Sequence, residues 1–398
     1  VPEKLPFEFL FAPDFSRDPY TAYDGLRAGG PVHPIDFPPG MDAFLIIDHE
    51  VGRAALNDPR LSKDITVFGD YFRKLADTND LLFQSNMLQV DPPEHTRLRR
   101  VVSKDFTPRR VEALRPRVQE ITDELIDAME MNGSAELIDE FAFPLPIIVI
   151  CELLGVPAED RELFRDWSGR LVNPSFDPEG TRVRQQAARD THAYFASLVA
   201  ERRADPRDDL VSALANGGDL DERELLSTLT LLLIAGHETT VNLIGNGMLA
   251  LLRNPDQLAL LRGEPELLPD AIEEFLRFDG PVERSTPRFA AEDMEIAGVA
   301  VPRGAMVHIS LGAAGSDPAA VSSPRELDIT RRDNRHLAFG HGIHFCLGAP
   351  LARLEGRIAI GTLLARLPGL ALDCAEEELA WRPPGSVVRG LTRLPVRF

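Results

Sequence analysis

The chain has 398 residues, with 43 basic and 63 acidic side chains and a net charge of −20, which excludes a general nucleic-acid binder because that needs a basic footprint. Hydrophobic residues at 44% and charged residues at 27% exclude global disorder. Three cysteines, Cys151, Cys346 and Cys374, are too few for a disulfide framework and fit a reducing, cytoplasmic setting.

Residues up to Ile47 read as loops with short strands at Pro31–Ile35 and Ala43–Ile47. The opening Val1-Pro2-Glu3-Lys4 lacks the basic, apolar and small-residue layout of a signal peptide. Asp91-Pro92-Pro93 opens a helix carrying His95 and Arg99 at i, i+4, hence on one face. From there to about Leu276 the pattern is mostly helical, with long helices expected over Arg109–Met131, Glu179–Arg203 and Asp221–Arg253. The last is the longest. Leu225, Leu229, Leu232, Gly236, Thr239, Leu243, Gly247 and Ala250 recur at steps of three and four and mark one face. Glu274 and Arg277 stand at i, i+3, close enough to pair. Val282–Ile309 alternates and carries Gly298 and Gly304, the mark of strands and turns. Leu351–Leu367 is a final helix. The whole reads as mainly α with small β-sheets. No apolar run reaches about 18 residues, so no transmembrane helix is expected. No composition break suggests a second domain, and no nucleotide-binding glycine motif or His-Glu-x-x-His zinc motif occurs.

The most informative segment is Phe339-Gly340-His341-Gly342-Ile343-His344-Phe345-Cys346-Leu347-Gly348. Its glycines permit left-handed dihedrals and close backbone approach, so a flat group can lie against the loop. Amide N–H groups and the start of the following helix, with Pro350 in its first turn, favour a thiolate at Cys346. The plain alternative is a glycine-rich turn around a structural cysteine. A zinc site is excluded because no second cysteine lies at metal spacing.

This segment resembles the haem-binding loop of the cytochrome P-450 (haem-thiolate) family, F-G-x-G-x-H-x-C-x-G, and matches every fixed position. The resemblance extends in motif order over nearly the whole chain. It implies one domain, residues 1–398, with the triangular helical prism of that family around a buried haem b (iron protoporphyrin IX). It makes Cys346 the axial iron ligand, whose electron donation favours O–O cleavage. Phe339 would lie by the sulfur, Gly340 and Gly348 would shape the loop, and His344 would bond a haem propionate. His95, Arg99 and Arg288 match the family's other propionate partners. Ala235-Gly236-His237-Glu238-Thr239-Thr240 matches the family's A-G-x-[DE]-T in the helix over the iron. Ala235 and Gly236 would then face the haem, Thr239 would hold oxygen and an ordered water, and Glu238 would feed protons. His237 receives no role. Glu274 and Arg277 match the structural E-x-x-R pair. Its usual third member is less clear, since Glu326 stands where many members are basic, leaving Arg325 or Arg331.

The resemblance also implies an O2-dependent monooxygenase supplied with electrons by a ferredoxin and its NAD(P)H-dependent reductase. Arg97, Arg99, Arg100, Lys104, Arg109 and Arg110, with Arg353 and Arg357, suggest a basic proximal dock for an acidic ferredoxin. Substrate walls are expected from a lid over Ile65–Leu88, including Phe83, Met87 and Leu88, from Asp166–Phe176, and from Ala235, Val282, Val387 and Val388. Such a lining suits a bulky hydrophobic substrate. The motif dialect is similar to that of actinobacterial members, many of which tailor polyketides and macrolides in antibiotic pathways. A monomer with no nucleic acid and no membrane is expected. A peroxide-driven or rearranging enzyme, or a haem-thiolate protein that only binds, are the alternatives; an intact Glu238–Thr239 pair counts against both.

Overall fold

The computed structural model describes residues 3–36, 42–64, 85–172, 177–383 and 385–398. Most of the expected lid, with Phe83, and the end of the Asp166–Phe176 wall lie outside them. Eight helices position the site: α1 (Glu94–Ser103), α2 (Arg115–Glu130), α3 (Pro144–Leu154), α4 (Arg161–Val172), α5 (Pro178–Ala204), α6 (Glu222–Arg253), α7 (Leu268–Phe278) and α8 (Ala349–Arg366). The run expected as one helix from Arg109 is two, Pro108–Ala113 and α2. Pro116 lies in the first turn of α2, where its missing N–H costs nothing.

The central helix, α6, is the one whose burial pattern runs nearly all round from Val241 to Leu251. Its N-terminus is closed by a capping box. Asp221 accepts from the Glu224 amide at 2.8 Å, and the Glu224 carboxylate accepts from the Asp221 amide at 3.0 Å. Glu224 is also ion-paired to Arg97 of α1, so two helices share that corner. Small residues let the neighbours close in. A Cβ on Gly236 would stand 2.8 Å from Ile150 of α3, and one on Gly247 would stand 3.0 Å from Phe275 of α7. Gly356 of α8 approaches Leu243 in the same way, at 3.2 Å.

The strands gather at one side. β1 (Val32–Ile35), β2 (Ala43–Ile46), β3 (Leu61–Ser62), β5 (Arg288–Ala290) and β8 (Met306–Ile309) form a sheet in the order β1-β2-β8-β5-β3. β4 (Ser134–Glu136), β9 (Ala371–Leu372) and β10 (Pro395–Arg397) form a second sheet, and β6 (Met294–Ile296) pairs with β7 (Val299–Val301). The register that matters sets Ser62 opposite Phe289, which brings Lys63 and Arg288 together. Among the described residues, no helix is long and apolar enough to cross a membrane.

Behind the cavity, Glu274 and Arg277 are fully buried and make two parallel bonds of 2.8 and 2.7 Å. Arg277 also donates to the carbonyls of Gly315 and Pro324. Glu274 accepts from the Asp328 amide, Asn334 and Arg331. Arg331 is therefore the third member, while Arg325 pairs with Asp18 at the surface. Removing one partner strands a buried charge. Glu274→Ala or Arg277→Ala is expected to lower folding stability by about 3–5 kcal/mol, read from urea unfolding midpoints.

Candidate active site: a cationic cavity above a cysteine loop

The loop before α8 is built as its glycines suggest. Gly340 and Gly342 have φ of 72° and 74°. A Cβ on Gly342 would also press on Asn57 at 2.7 Å. The Cys346 amide donates to the Phe339 carbonyl at 2.9 Å, closing the loop. Gly348 has an ordinary φ of −81°. Among the described residues, its chain neighbours aside, the atom within 4 Å of a Cβ built there is the Cys346 sulfur, at 3.9 Å, so this glycine leaves room beside the sulfur. Phe339 lies under the Arg353 guanidinium, 4.5 Å from its ring centre, and Arg353 is fixed by Glu273 at 2.6 Å.

Cys346 opens into a cavity of about 290 Å³, at the lower end of the ~300–1,000 Å³ of an ordinary small-molecule site. Burial pushes the thiol up, while the amides of Gly348 and Ala349 and the charges of Arg99 and Arg353 pull it down; the net is above its usual value. The donors for a thiolate are thus in place, and a bound metal must complete the deprotonation.

The cavity wall carries a crowd of positive groups. Lys63 is buried and donates to Thr286 Oγ1 at 2.6 Å and to the Pro287 carbonyl at 2.9 Å. Burial and then Arg288 push its pKa well down. Arg288 itself is pushed down to about 10 by burial. His344 falls to about 2 through burial and then the charges of Lys63, Arg288, His95 and Arg99. The His95 and His344 rings lie 4.4 Å apart. Arg99 donates to the Phe345 carbonyl at 2.7 Å. Among the described residues, His344 Nε2 and Arg288 Nε are buried without a hydrogen-bond partner. Both ring nitrogens of His95 also lack a bond of ordinary geometry, although the Ile343 backbone lies beside the ring. Buried arginine and lysine side chains set beside imidazoles with unused ring nitrogens call for a bound anion. A flat group bearing two carboxylates and a metal for Cys346 fits this donor set, as haem does.

The opposite wall is α6. Ala235, Gly236, Thr239 and Thr240 line the cavity, and Thr239 Oγ1 donates back to the Ala235 carbonyl at 3.0 Å. Glu238 does not line it. Its carboxylate is turned away, ion-paired to Arg382 at 2.6 Å and accepting from Ser168 Oγ at 2.8 Å. Burial raises its pKa, but the His237 hydrogen bond, the charges of His237 and Arg382, and the Ser168 bond outweigh that and hold it at about 2. Met87, Leu88 and Val282 line the cavity with Phe106, Ile150, Leu231 and Leu232. Val387 and Val388 are not brought in: Val388 bridges to Val282 and lines a separate cleft, and the Val387 carbonyl accepts from the Glu283 amide.

The chain matches the Cytochrome P450 family model over residues 175–368. It is 48% identical to the cytochrome P450 monooxygenase PikC of Streptomyces venezuelae over 97% of this chain and 92% of that protein. The chain belongs to the cytochrome P450 family. It is also 45% identical to the 6-deoxyerythronolide B hydroxylase of Saccharopolyspora erythraea, covering 98% of each protein. The solved structure of CxnD, a cytochrome P450 for C–S bond formation in chuangxinmycin biosynthesis, superposes with a TM-score of 0.95 at 46% identity, covering 100% of this chain and 98% of that one. Membership brings a haem-thiolate cofactor, oxygen, a redox partner and monooxygenase chemistry.

Lys63, Arg382, Ser168 and Glu355 went unseen in the sequence. Lys63 reaches the site only through the β3–β5 register. Glu355 of α8 is buried behind the cavity with Thr240 as its polar neighbour, and burial raises its pKa to about 8. Its folded pKa lies above the ordinary 4.5, so the folded chain keeps a proton that the unfolded chain releases, and stability falls as pH rises from about 4.5 to about 8. Glu355→Gln is expected to flatten that slope, which is at most about 1.4 kcal/mol per pH unit, in urea unfolding followed across the window.

Proposed function

We propose that this P450 hydroxylates or epoxidises a bulky hydrophobic small molecule of the polyketide or macrolide kind, as a cytoplasmic monomer and one catalytic unit over residues 1–398. The observation that carries the reading is the cavity itself: Cys346 on one wall, Thr239 on the other, and aliphatic side chains between them. The 6-deoxyerythronolide B hydroxylase among its relatives supports the substrate class.

Haem b, held by Cys346 and by His95, Arg99, Arg288 and His344, supplies when bound the activation of dioxygen and the insertion of one oxygen atom. Lys63 would add a fifth donor toward its carboxylates. Thr239, its hydroxyl proton committed to Ala235, keeps lone pairs toward the cavity and can accept from a water. Glu238 holds its charge at Arg382 until a proton is required. The apolar walls orient the substrate and exclude bulk water.

Electrons are supplied by an acidic ferredoxin and its NAD(P)H-dependent reductase. The basic dock is narrower than the row of arginines suggests. Arg97 and Lys104 face Glu224 and Asp219, and Arg99 faces the cysteine loop. Arg110 is paired with Asp105 at 2.6 Å yet stays highly exposed, and Arg100 and Arg109 are exposed.

Two experiments test this reading. Cys346→Ser is expected to abolish the red-shifted Soret band that thiolate ligation gives the reduced carbon monoxide complex; a variant that keeps both band and turnover overturns the assignment. Charge-neutralising Arg100 and Arg110 together is expected to slow reduction by the ferredoxin roughly tenfold at low salt and to flatten its salt dependence. An unchanged rate removes the dock.

A further inference from the structure

A hydrogen-bonded chain runs behind α6, away from the cavity. His237 is fully buried. Its Nδ1 lies 2.7 Å from the Leu233 carbonyl and its Nε2 lies 2.9 Å from Ser168 Oγ. Ser168 Oγ in turn lies 2.8 Å from Glu238 Oε1. The far oxygen of Glu238 is held by Arg382 at 2.6 Å.

The protons in this chain can be counted. A carbonyl only accepts, so Nδ1 carries hydrogen. The Ser168 hydroxyl has one proton and three neighbours that could take it, of which the Arg165 carbonyl, at 3.4 Å, is the farthest. If it pointed at Nε2 or at the Arg165 carbonyl, the serine oxygen would face an ionised carboxylate oxygen at 2.8 Å with no proton between them. Arg382 keeps that carboxylate charged, so the serine proton belongs to Glu238. Nε2 must then be the donor to Ser168, and both ring nitrogens are protonated. The ring's other neighbours fit a cation poorly compensated except by Glu238. The Phe143 ring from the α3 entrance meets it edge-on at 5.7 Å. Arg165 of α4 sits over that ring, 4.5 Å from its centre, and is paired with Asp139. Glu238 Oε1 itself is 3.5 Å from Nε2.

We infer that His237 is an imidazolium proton reserve that charges Glu238 through the Ser168 hydroxyl. This rests on the reading of Glu238 as the proton donor to the cavity. In the transfer, the Nε2–H bond breaks as a new Oγ–H bond forms, and the original Oγ–H proton passes to Glu238 Oε1. One proton moves in total, imidazolium and carboxylate both become neutral, and the Arg382 pair loses its anion. The neutral acid is then released to turn toward Thr239. The reserve refills by the reverse path after Glu238 regains a proton on its Arg382 side, where that guanidinium borders the cleft with Trp381 and Ser386. His237 and Ser168 are positioning residues in this scheme, since neither lines the cavity.

The test uses the haem-loaded ferrous enzyme with carbon monoxide, which is diamagnetic. Nitrogen NMR of isotope-labelled histidine is expected to show, at neutral pH, one doubly protonated ring that vanishes in His237→Asn and becomes singly protonated in Ser168→Ala. A neutral ring at position 237 in the parent enzyme overturns the inference. In turnover with the reductase system, Ser168→Ala and His237→Asn are expected to raise the peroxide released per reductant roughly tenfold, within the range that acid–base catalysis supplies, and to change the solvent isotope effect while leaving the substrate-induced Soret shift intact. Ser168→Thr, which keeps the hydroxyl, is expected to restore coupling. If Glu238→Gln uncouples and the Ser168 and His237 variants do not, the relay is wrong and the acid stands. If Glu238→Gln remains coupled, the role of the acid itself fails.

Discussion

Like charges forced together under cover of apolar side chains govern this fold. Lys63, Arg288, His95, Arg99 and His344 converge on one cavity with Asp91 as the acid acting on Lys63, His95 and Arg288. Arg288 acts against protonated Lys63, Arg99 against protonated His95, and all four against protonated His344, while Arg288, His95 and His344 keep donors unused. Such an arrangement is costly until an anion arrives, so it makes sense only as half of a complex. The cysteine loop supplies the other requirement, a sulfur set at a helix start with backbone donors around it and nothing beside it. A dicarboxylate metal macrocycle answers both needs together.

The helices hold this geometry by proximity more than by polar bonds. α6 can lie so near α3, α7 and α8 because Gly236, Gly247 and Gly356 stand at the crossings. The Glu274–Arg277–Arg331 cluster then ties α7 to the segment leading into the cysteine loop. Its carboxylate is satisfied from four sides, which makes a buried ion pair tolerable. The result is a rigid floor under Cys346 and a rigid roof at Thr239.

Much of this was readable in advance where the information was local. The loop from Phe339 to Gly348 advertises its dihedrals in its glycines. The face of α6 shows in its spacing, and the pairing of Glu274 with Arg277 shows in theirs. What escaped depended on contacts between distant segments. Lys63 enters through a strand register, Arg331 rather than Arg325 completes the buried cluster because of where a loop returns, and Arg97 turns to a helix cap instead of to solvent. The side chain of Glu238 points away from the cavity because Arg382 and Ser168, 144 and 70 positions from it in sequence, reach it there. The valines at 387 and 388 miss the cavity for a similar reason: Val388 bridges to Val282 and the Val387 carbonyl accepts from Glu283.

The step from Ala235 to Gly236 has an evolutionary meaning. At 236 a single methyl would drive into Ile150, so that position is frozen by its neighbour across the helix crossing. At 235 the side chain lines the cavity that cofactor and substrate would share. Diversification of this scaffold toward new molecules therefore has an adjustable position and a locked one side by side. A larger residue at 235 would narrow the space over the haem face, so the pair sets the shape of the chamber from two sides, one by packing and one by contact with its contents.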